Sequence, residues 1–292
     1  MLVFEFFSGI GGMHQALMNV PGISIKSILP FDINPNANIV YCHNFGVKPY
    51  EISIESFSLE DYEKIIQSQG EGGIMWTMSP PCQPFTRLGQ QKYLNDGRTT
   101  GFLHLIKLLE STKFPPKYFL LENVKNFEYS DACALIKKTL LSLNYNINQF
   151  LLSPNQIGVP NSRPRFYLLG RISDEKPFLL NYDENNNYID DIVYSPEIFG
   201  KLEIINSTNY TATINSFLEY NQEDEVLKKD FYISEKILKK DTSPALDIVT
   251  LESNTTTCFT KGYGKLLKGS GSVFITDCSL YTVKMNLIIE KL

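Results

Sequence analysis

The tetrad Ser79-Pro80-Pro81-Cys82, continued by Gln83-Pro84-Phe85, holds one cysteine on a loop with prolines on both sides. Each proline fixes its own φ at about −65° and pushes the residue before it out of the helical region. Such a loop loses little entropy when it presents a thiol in one direction, which is what a thiolate nucleophile requires. Glu122-Asn123 ends the apolar run 118–121 and follows Cys82 by 40 residues. A carboxylate at a strand end beside a nucleophile suits acid or hydrogen-bond catalysis on a ring nitrogen. Arg163-Pro164-Arg165 heads a further apolar run and can supply fixed positive charge. Each group also has an ordinary explanation. Pro-Cys can simply end a strand, Glu122 can be a solvated loop residue, and two arginines beside a strand can pair with surface carboxylates.

A second set of residues suits a bound nucleotide-like molecule. Gly9, Gly11 and Gly12 lie between the first apolar run and a helix-like stretch. Glycines there let a ligand approach the backbone, and the helix N-terminus favours anionic groups. The spacing is not that of the GxGxxG dinucleotide fingerprint. Asp32 ends the second apolar run, where a carboxylate can bind ribose hydroxyls. Capping the next helix is its alternative role. Ile33 and Ile54 can flank an adenine, although core packing is the default for any isoleucine.

The elements that must carry these groups alternate. Apolar runs at 2–7, 27–31, 74–78, 118–121, 150–152 and 165–169 predict strands, and helical stretches at 13–19, 35–44 and 101–111 fall between them. That alternation predicts a mostly parallel α/β sheet, with the cysteine loop just beyond the carboxyl end of the strand at 74–78. The polar stretch 181–187 and the irregular Asn/Asp/Glu/Lys-rich sequence to about 255 suggest a domain boundary near 175–190.

With 292 residues, 43% hydrophobic and 20% charged, the chain has the size and composition of a soluble protein with one large domain and a smaller one. No apolar run approaches the ~18 residues of a membrane span. The N-terminus has neither the basic region nor the cleavage site of a secretory signal. Five cysteines without CxxC spacing suit reduced thiols in the cytosol or nucleus and give no zinc site. The net charge of −5 gives no global attraction to nucleic acid, so such binding would need local patches. Candidates are Arg87, Lys92 and Arg98; Arg163 and Arg165; and Lys261, Lys265 and Lys268. Any of them can equally be a solvated charged face.

Together the strings Phe7-Ser8-Gly9-Ile10-Gly11-Gly12, Ser79-Pro80-Pro81-Cys82-Gln83-Pro84, Glu122-Asn123-Val124 and Asn161-Ser162-Arg163-Pro164-Arg165 resemble, in order, the core motifs of the cytosine-5 methyltransferases. Within that superfamily the chain is most similar to the tRNA-aspartate branch, historically filed as the second type of eukaryotic DNA methyltransferase. The strings that carry this are Gly12-Met13-His14, Pro84-Phe85-Thr86-Arg87, Ile157 to Arg163 with Asn161, and above all Cys258-Phe259-Thr260-Lys261-Gly262-Tyr263-Gly264.

The resemblance implies a Rossmann-like, S-adenosylmethionine-dependent methyltransferase sheet over 1–178 and a smaller target-recognition domain over 179–292. It implies that Cys82 adds to carbon 6 of a flipped-out cytosine, with Glu122 on ring nitrogen 3 and the exocyclic amine, and that Arg163 and Arg165 stabilise the base and the thiolate. It assigns Phe7, Gly9, Gly11, Gly12, Asp32, Ile33, Ile54 and Pro80 to S-adenosylmethionine and its product S-adenosylhomocysteine. Gln83, Asn123, Cys258, Phe259, Thr260 and Lys261 are assigned to the substrate. No metal and no membrane are implied, and a cytoplasmic or nuclear location follows. The expected partner is the anticodon loop of a tRNA, tRNA-Asp first, with DNA as the alternative. The family also carries a final Gly-Asn-Ser helix that returns to the first domain, which 279–292 do not contain. A truncated return, and with it a catalytically impaired RNA-binding homologue, is therefore a further expectation.

Overall fold

All five residues from Leu2 to Phe6 are buried, Glu5 among them. An unbroken buried run of this kind belongs to a strand with neighbours at both edges and cover on both faces. This is β1 (Leu2–Phe6). The computed structural model describes residues 1–70, 72–81, 99–172, 181–183, 185, 187–195, 212–217, 246–260 and 269–274. In it β1 lies parallel to β2 (Ser27–Phe31) on one side and β3 (Ile74–Met78) on the other. Beyond β3 come β4 (Tyr118–Val124), parallel to it, then β6 (Arg165–Ile172), antiparallel to β4. The strand β5 (Tyr145–Leu152) completes the order β2-β1-β3-β4-β6-β5. The chain leaves β1 towards β2 and later returns on the opposite side as β3. The carboxyl ends of β1 and β3 therefore flank a topological switch point, where open α/β sheets bind their ligands.

Helices α1 (Gly12–Met18), α2 (Pro35–Phe45), α3 (Leu59–Gln69), α4 (Thr100–Ser111) and α5 (Asp131–Ser142) connect the strands. Alternation along the strands divides the core. Phe4, Phe6, Phe31 and Trp76 join Phe57 and Tyr62 in an aromatic cluster, while Val3, Ile28 and Leu17 of α1 form a smaller one. Tyr62 accepts a hydrogen bond from the Trp76 indole at 3.1 Å and donates to the Phe114 carbonyl at 2.8 Å, so both buried polar tips are paired.

The parallel α/β expectation holds for β1 to β4, with three differences. The strand expected at 118–121 runs on to Val124, because β6 pairs with it as far as Val124↔Arg165. The strand expected at 150–152 starts at Tyr145: Asn146, Asn148 and Gln149 interrupt its apolar pattern, and the backbone of Ile147 and Gln149 is bonded by the side chains of Tyr182 and Asn181. Helices α3 and α5 add to the stretches the sequence predicts, and each begins at a serine whose side chain accepts an N–H of the first turn, Ser58 from Asp61 and Ser130 from Cys133.

The chain forms two compact units, 1–151 with 165–194, and 152–164 with 195–292. Relative to a division at 178/179, residues 152–164 go with the second unit and 179–194 with the first. In the second unit, β7 (Ile248–Val249) and β8 (Val273–Phe274) pair in parallel. Among the described residues no helix is long and apolar enough to cross a membrane.

Candidate active site

Beyond β1 the backbone turns sharply. Phe7, Gly9 and Gly11 have φ of 55°, 54° and 92°, in the left-handed region. A side chain begun at Gly9 or Gly12 would meet nothing within 4 Å, whereas one at Gly11 would lie 2.2 Å from the Phe45 ring. Gly9 and Gly12 thus leave open space over the turn. Gly11 is required by its own φ and by Phe45 from α2.

Asp32, just past β2, braces the turn. Its Oδ2 accepts the Gly9 N–H at 2.8 Å and its Oδ1 the Asn34 N–H at 2.8 Å. The cap of α2 is Asn34, which accepts from Asn36 and Ala37, so Asp32 does not take its alternative role. Ile33 beside it is 66% exposed and Ile10 in the turn 61%. Ile54 is buried instead. Its Cβ lies 3.3 Å, and the Phe7 ring 3.4 Å, from where a side chain on Gly101 would begin. Ile54 and Phe7 therefore adjoin a glycine of α4 in the packed core. An acceptor carboxylate, open backbone and exposed apolar side chains converge on one turn. That combination fits an adenosine moiety.

Beneath the turn lies a polar group that sequence reasoning passed over. Glu5 is 1% exposed; its Oε1 accepts the His14 N–H at 3.2 Å and its Oε2 the Tyr41 hydroxyl at 2.6 Å. Tyr41 in turn lies 2.6 Å from His14 Nδ1. A glutamate inside an otherwise apolar strand was the available signal. Burial pushes the Glu5 carboxyl up to about 7, against a smaller lowering by Tyr41 and His14. Between about 4.5 and 7 the folded protein holds a proton that the unfolded chain has released, so stability falls as pH rises through that window. Glu5→Gln, which cannot ionise, is expected to match the wild type below pH ~4.5 and to exceed it by roughly 3 kcal/mol at pH ~8. Urea unfolding at the two pH values measures the difference; an equal gap at both would contradict it.

At the end of β4, the Glu122 Oε1 pairs with Arg165 Nε at 3.0 Å, with only 22% and 14% of the two side chains exposed. The antiparallel register sets Glu122 opposite Tyr167 and Val124 opposite Arg165, so the arginine reaches forward along its own strand to meet the carboxylate. Asn123, 1% exposed, donates from its side chain to the Pro80 carbonyl at 3.3 Å. The Ser79 N–H donates to the Phe6 carbonyl at 3.3 Å. The first residues of the cysteine loop are thereby tied to β1 and to the Glu122-Asn123 pair. Asn123, expected at the substrate, is a buried brace of this loop. Pro80, expected at the cofactor, is buried and supplies the carbonyl that Asn123 holds. Cys82, Gln83 and Lys261 lie outside the described residues, as do Arg87, Lys92, Arg98, Lys265, Lys268 and 279–292.

The two arginines have different partners. Arg165 belongs to the first unit and pairs with Glu122. Arg163 belongs to the second and donates from Nη1 to the Cys258 sulfur at 2.8 Å. In that second unit Ser162 bridges to Thr257, and the Asn161 side chain donates to Thr256 Oγ1 at 2.8 Å. Thr256 donates in turn to the Pro160 carbonyl at 2.8 Å. The Thr260 N–H donates to Ser270 at 2.8 Å, and Phe259 is 49% exposed. Residues 160–163 and 256–258, far apart in sequence, thus meet at one isolated bridge and the side-chain bonds beside it.

Residues 1–284 match the family described as C-5 cytosine-specific DNA methylase. A tRNA (cytosine(38)-C(5))-methyltransferase of Schizosaccharomyces pombe is 34% identical over 271 residues, covering 93% of this chain and 74% of the relative. A DNA (cytosine-5)-methyltransferase of Dictyostelium discoideum is 34% identical over 295 residues, covering 94% and 76%. Among solved structures, that of the S. pombe Dnmt2 methyltransferase superposes with a TM-score of 0.75 at 32% identity, covering 95% of this chain and 77% of the other.

Proposed function

The chain belongs to the C-5 cytosine-specific DNA methylase family, and we propose that it methylates carbon 5 of a cytosine in a tRNA anticodon loop, with tRNA-Asp the first candidate and S-adenosylmethionine as methyl donor. The observation that carries the chemistry is the Arg165–Glu122 pair beside the Asn123–Pro80 bond, because it puts a held carboxyl next to the stem of the cysteine loop. The tRNA reading is supported by the S. pombe relative at 34% identity over 93% of the chain. DNA is the second reading, favoured by the similarly close D. discoideum relative.

Cys82, as thiolate, adds to carbon 6 of the extruded base, and Glu122 holds ring nitrogen 3 and the exocyclic amine as the adduct forms. Electron density then accumulates at carbon 5. When bound, S-adenosylmethionine supplies an electrophilic methyl group to that carbon. Loss of the carbon 5 proton and β-elimination return the Cys82 thiolate. Arg165 fixes the Glu122 carboxyl through Oε1 and keeps positive charge beside it. Extruding the base costs a few kcal/mol, less from a loop than from a duplex. The donor's adenosine is assigned to Gly9, Gly12, Asp32 and Ile33. In the second unit, the exposed Phe259 ring and the Arg163 guanidinium offer stacking and charge to RNA.

Asp32→Ala removes an acceptor for ribose and the brace on the Gly9 N–H together. It is expected to weaken S-adenosylhomocysteine binding by ~1–3 kcal/mol, the range for a buried polar group that loses its partner. Titration calorimetry measures this, and unchanged affinity would remove Asp32 from the cofactor site. The substrate reading is tested by incubating the protein with tritiated methyl donor and either total tRNA or DNA. Label is expected on tRNA; label confined to DNA would favour the second reading.

A further inference from the structure

A turn built on Gly9, Gly11 and Gly12 has few side chains to hold it, and α1 starts from Gly11 with no side-chain cap. Glycines lose more backbone freedom on ordering than other residues, so something outside the turn must fix it. Glu5 precedes the turn and His14 follows it. The same carboxylate that grows from β1 accepts the His14 N–H at the third position of α1, the bond a capping side chain at Gly11 would otherwise make. Through Tyr41 it also ties the turn to α2. Phe45, one turn further along α2, stacks on the His14 ring at 4.1 Å between centroids and fills the space beside Gly11.

We propose that Glu5, Tyr41 and His14 form a reversible hydrogen-bond relay that clamps both ends of the glycine turn, with Glu5 a positioning residue for binding of the methyl donor. This rests on the cofactor reading above. With Glu5 ionised, one arrangement links the three side chains: His14 Nδ1–H donates to Tyr41, and Tyr41 donates to Glu5. With Glu5 protonated the direction reverses. Glu5 then donates to Tyr41, Tyr41 donates to a bare Nδ1, and His14 carries its proton on Nε2. The balance is one proton taken from water at Nε2, with the Nδ1 proton passing to Tyr41 and the Tyr41 proton to Glu5. In both states Oε1 still accepts the His14 N–H, so the turn stays closed.

The surroundings favour such a relay. Burial holds the His14 imidazole below its ordinary range and therefore neutral near pH 7, as tautomer exchange requires. Among the described residues, the titratable groups facing Glu5 are His14 from α1 and Tyr41 from α2. Its ladder neighbours are Pro30 on β2 and Thr77 on β3, neither of them charged, and Asp32 grips the turn separately at Gly9.

The test combines S-adenosylhomocysteine calorimetry with nitrogen-15 NMR of the His14 ring. In the wild type, His14 is expected to change from the Nε2–H to the Nδ1–H tautomer as pH rises through about 7, following the Glu5 carboxyl. Glu5→Gln should lock it as Nε2–H, since with its oxygen accepting the His14 N–H its amide nitrogen faces Tyr41 and donates to it, while keeping affinity within about threefold. Glu5→Leu, checked for folding by circular dichroism, should lose about tenfold or more, because the His14 N–H is left without an acceptor. One unchanging wild-type tautomer, or Glu5→Leu binding as tightly as wild type, would overturn the relay. A wild type that does not bind S-adenosylhomocysteine at all would overturn the cofactor reading first, and the positioning role with it. The tautomer measurement needs no variant, so a Glu5→Leu protein that fails to fold still leaves a decision.

Discussion

Replacing Cys82 by alanine is expected to abolish methyl transfer while leaving the fold and cofactor affinity nearly intact. The thiol makes the bond on which everything later depends, since cytosine carbon 5 becomes nucleophilic only once carbon 6 carries a sulfur. The change removes one small side chain from a loop whose stem is secured elsewhere. Asn123 holds the Pro80 carbonyl and the Phe6 carbonyl holds the Ser79 N–H, both upstream of the cysteine. RNA containing 5-fluorocytosine should trap a covalent complex with the wild type, because fluorine cannot leave as the proton does, and none with Cys82→Ala. Turnover by the alanine variant would remove Cys82 from the mechanism.

Glu122→Gln is the second large effect. Glutamine keeps an oxygen for Arg165 Nε at the position Glu122 Oε1 now occupies, so the β4–β6 pairing and RNA binding should survive. It cannot give ring nitrogen 3 a proton as the adduct forms. An interaction made only with the adduct appears in kcat and leaves ground-state binding alone. The expected loss is ~10²–10⁴-fold in kcat, the usual span of general acid–base catalysis, with little change in tRNA affinity. A fall in affinity with unaltered single-turnover rate would make Glu122 a binding residue.

Glu122, Asp32 and Cys82 stand out in the sequence because each follows an apolar run that stops against a group with chemistry. What the sequence hid depends on partners far along the chain. Glu122 lies within a ladder because β6 arrives antiparallel from 165, and nothing in 118–124 announces that neighbour. Asn123 looked like a substrate contact, but its amide turns inward to Pro80. Arg163 and Arg165 are two residues apart and alike in type, yet Pro164 separates residues of different units, with Cys258 as one partner and Glu122 as the other. Gly11 reads as a ligand-approach glycine, and only the structure shows the Phe45 ring against it. Glu5 was overlooked because in a buried strand a single acidic residue is read as noise, and its two partners lie 9 and 36 residues away.

The most direct measurement of the central claim is mass spectrometry of nucleosides and anticodon-loop fragments from tRNA treated with this protein and S-adenosylmethionine. The account predicts 5-methylcytidine at one cytosine of the anticodon loop, present with the wild type and missing with Cys82→Ala. Methylation at another atom or outside that loop, or 5-methylcytidine made equally well by Cys82→Ala, would contradict it.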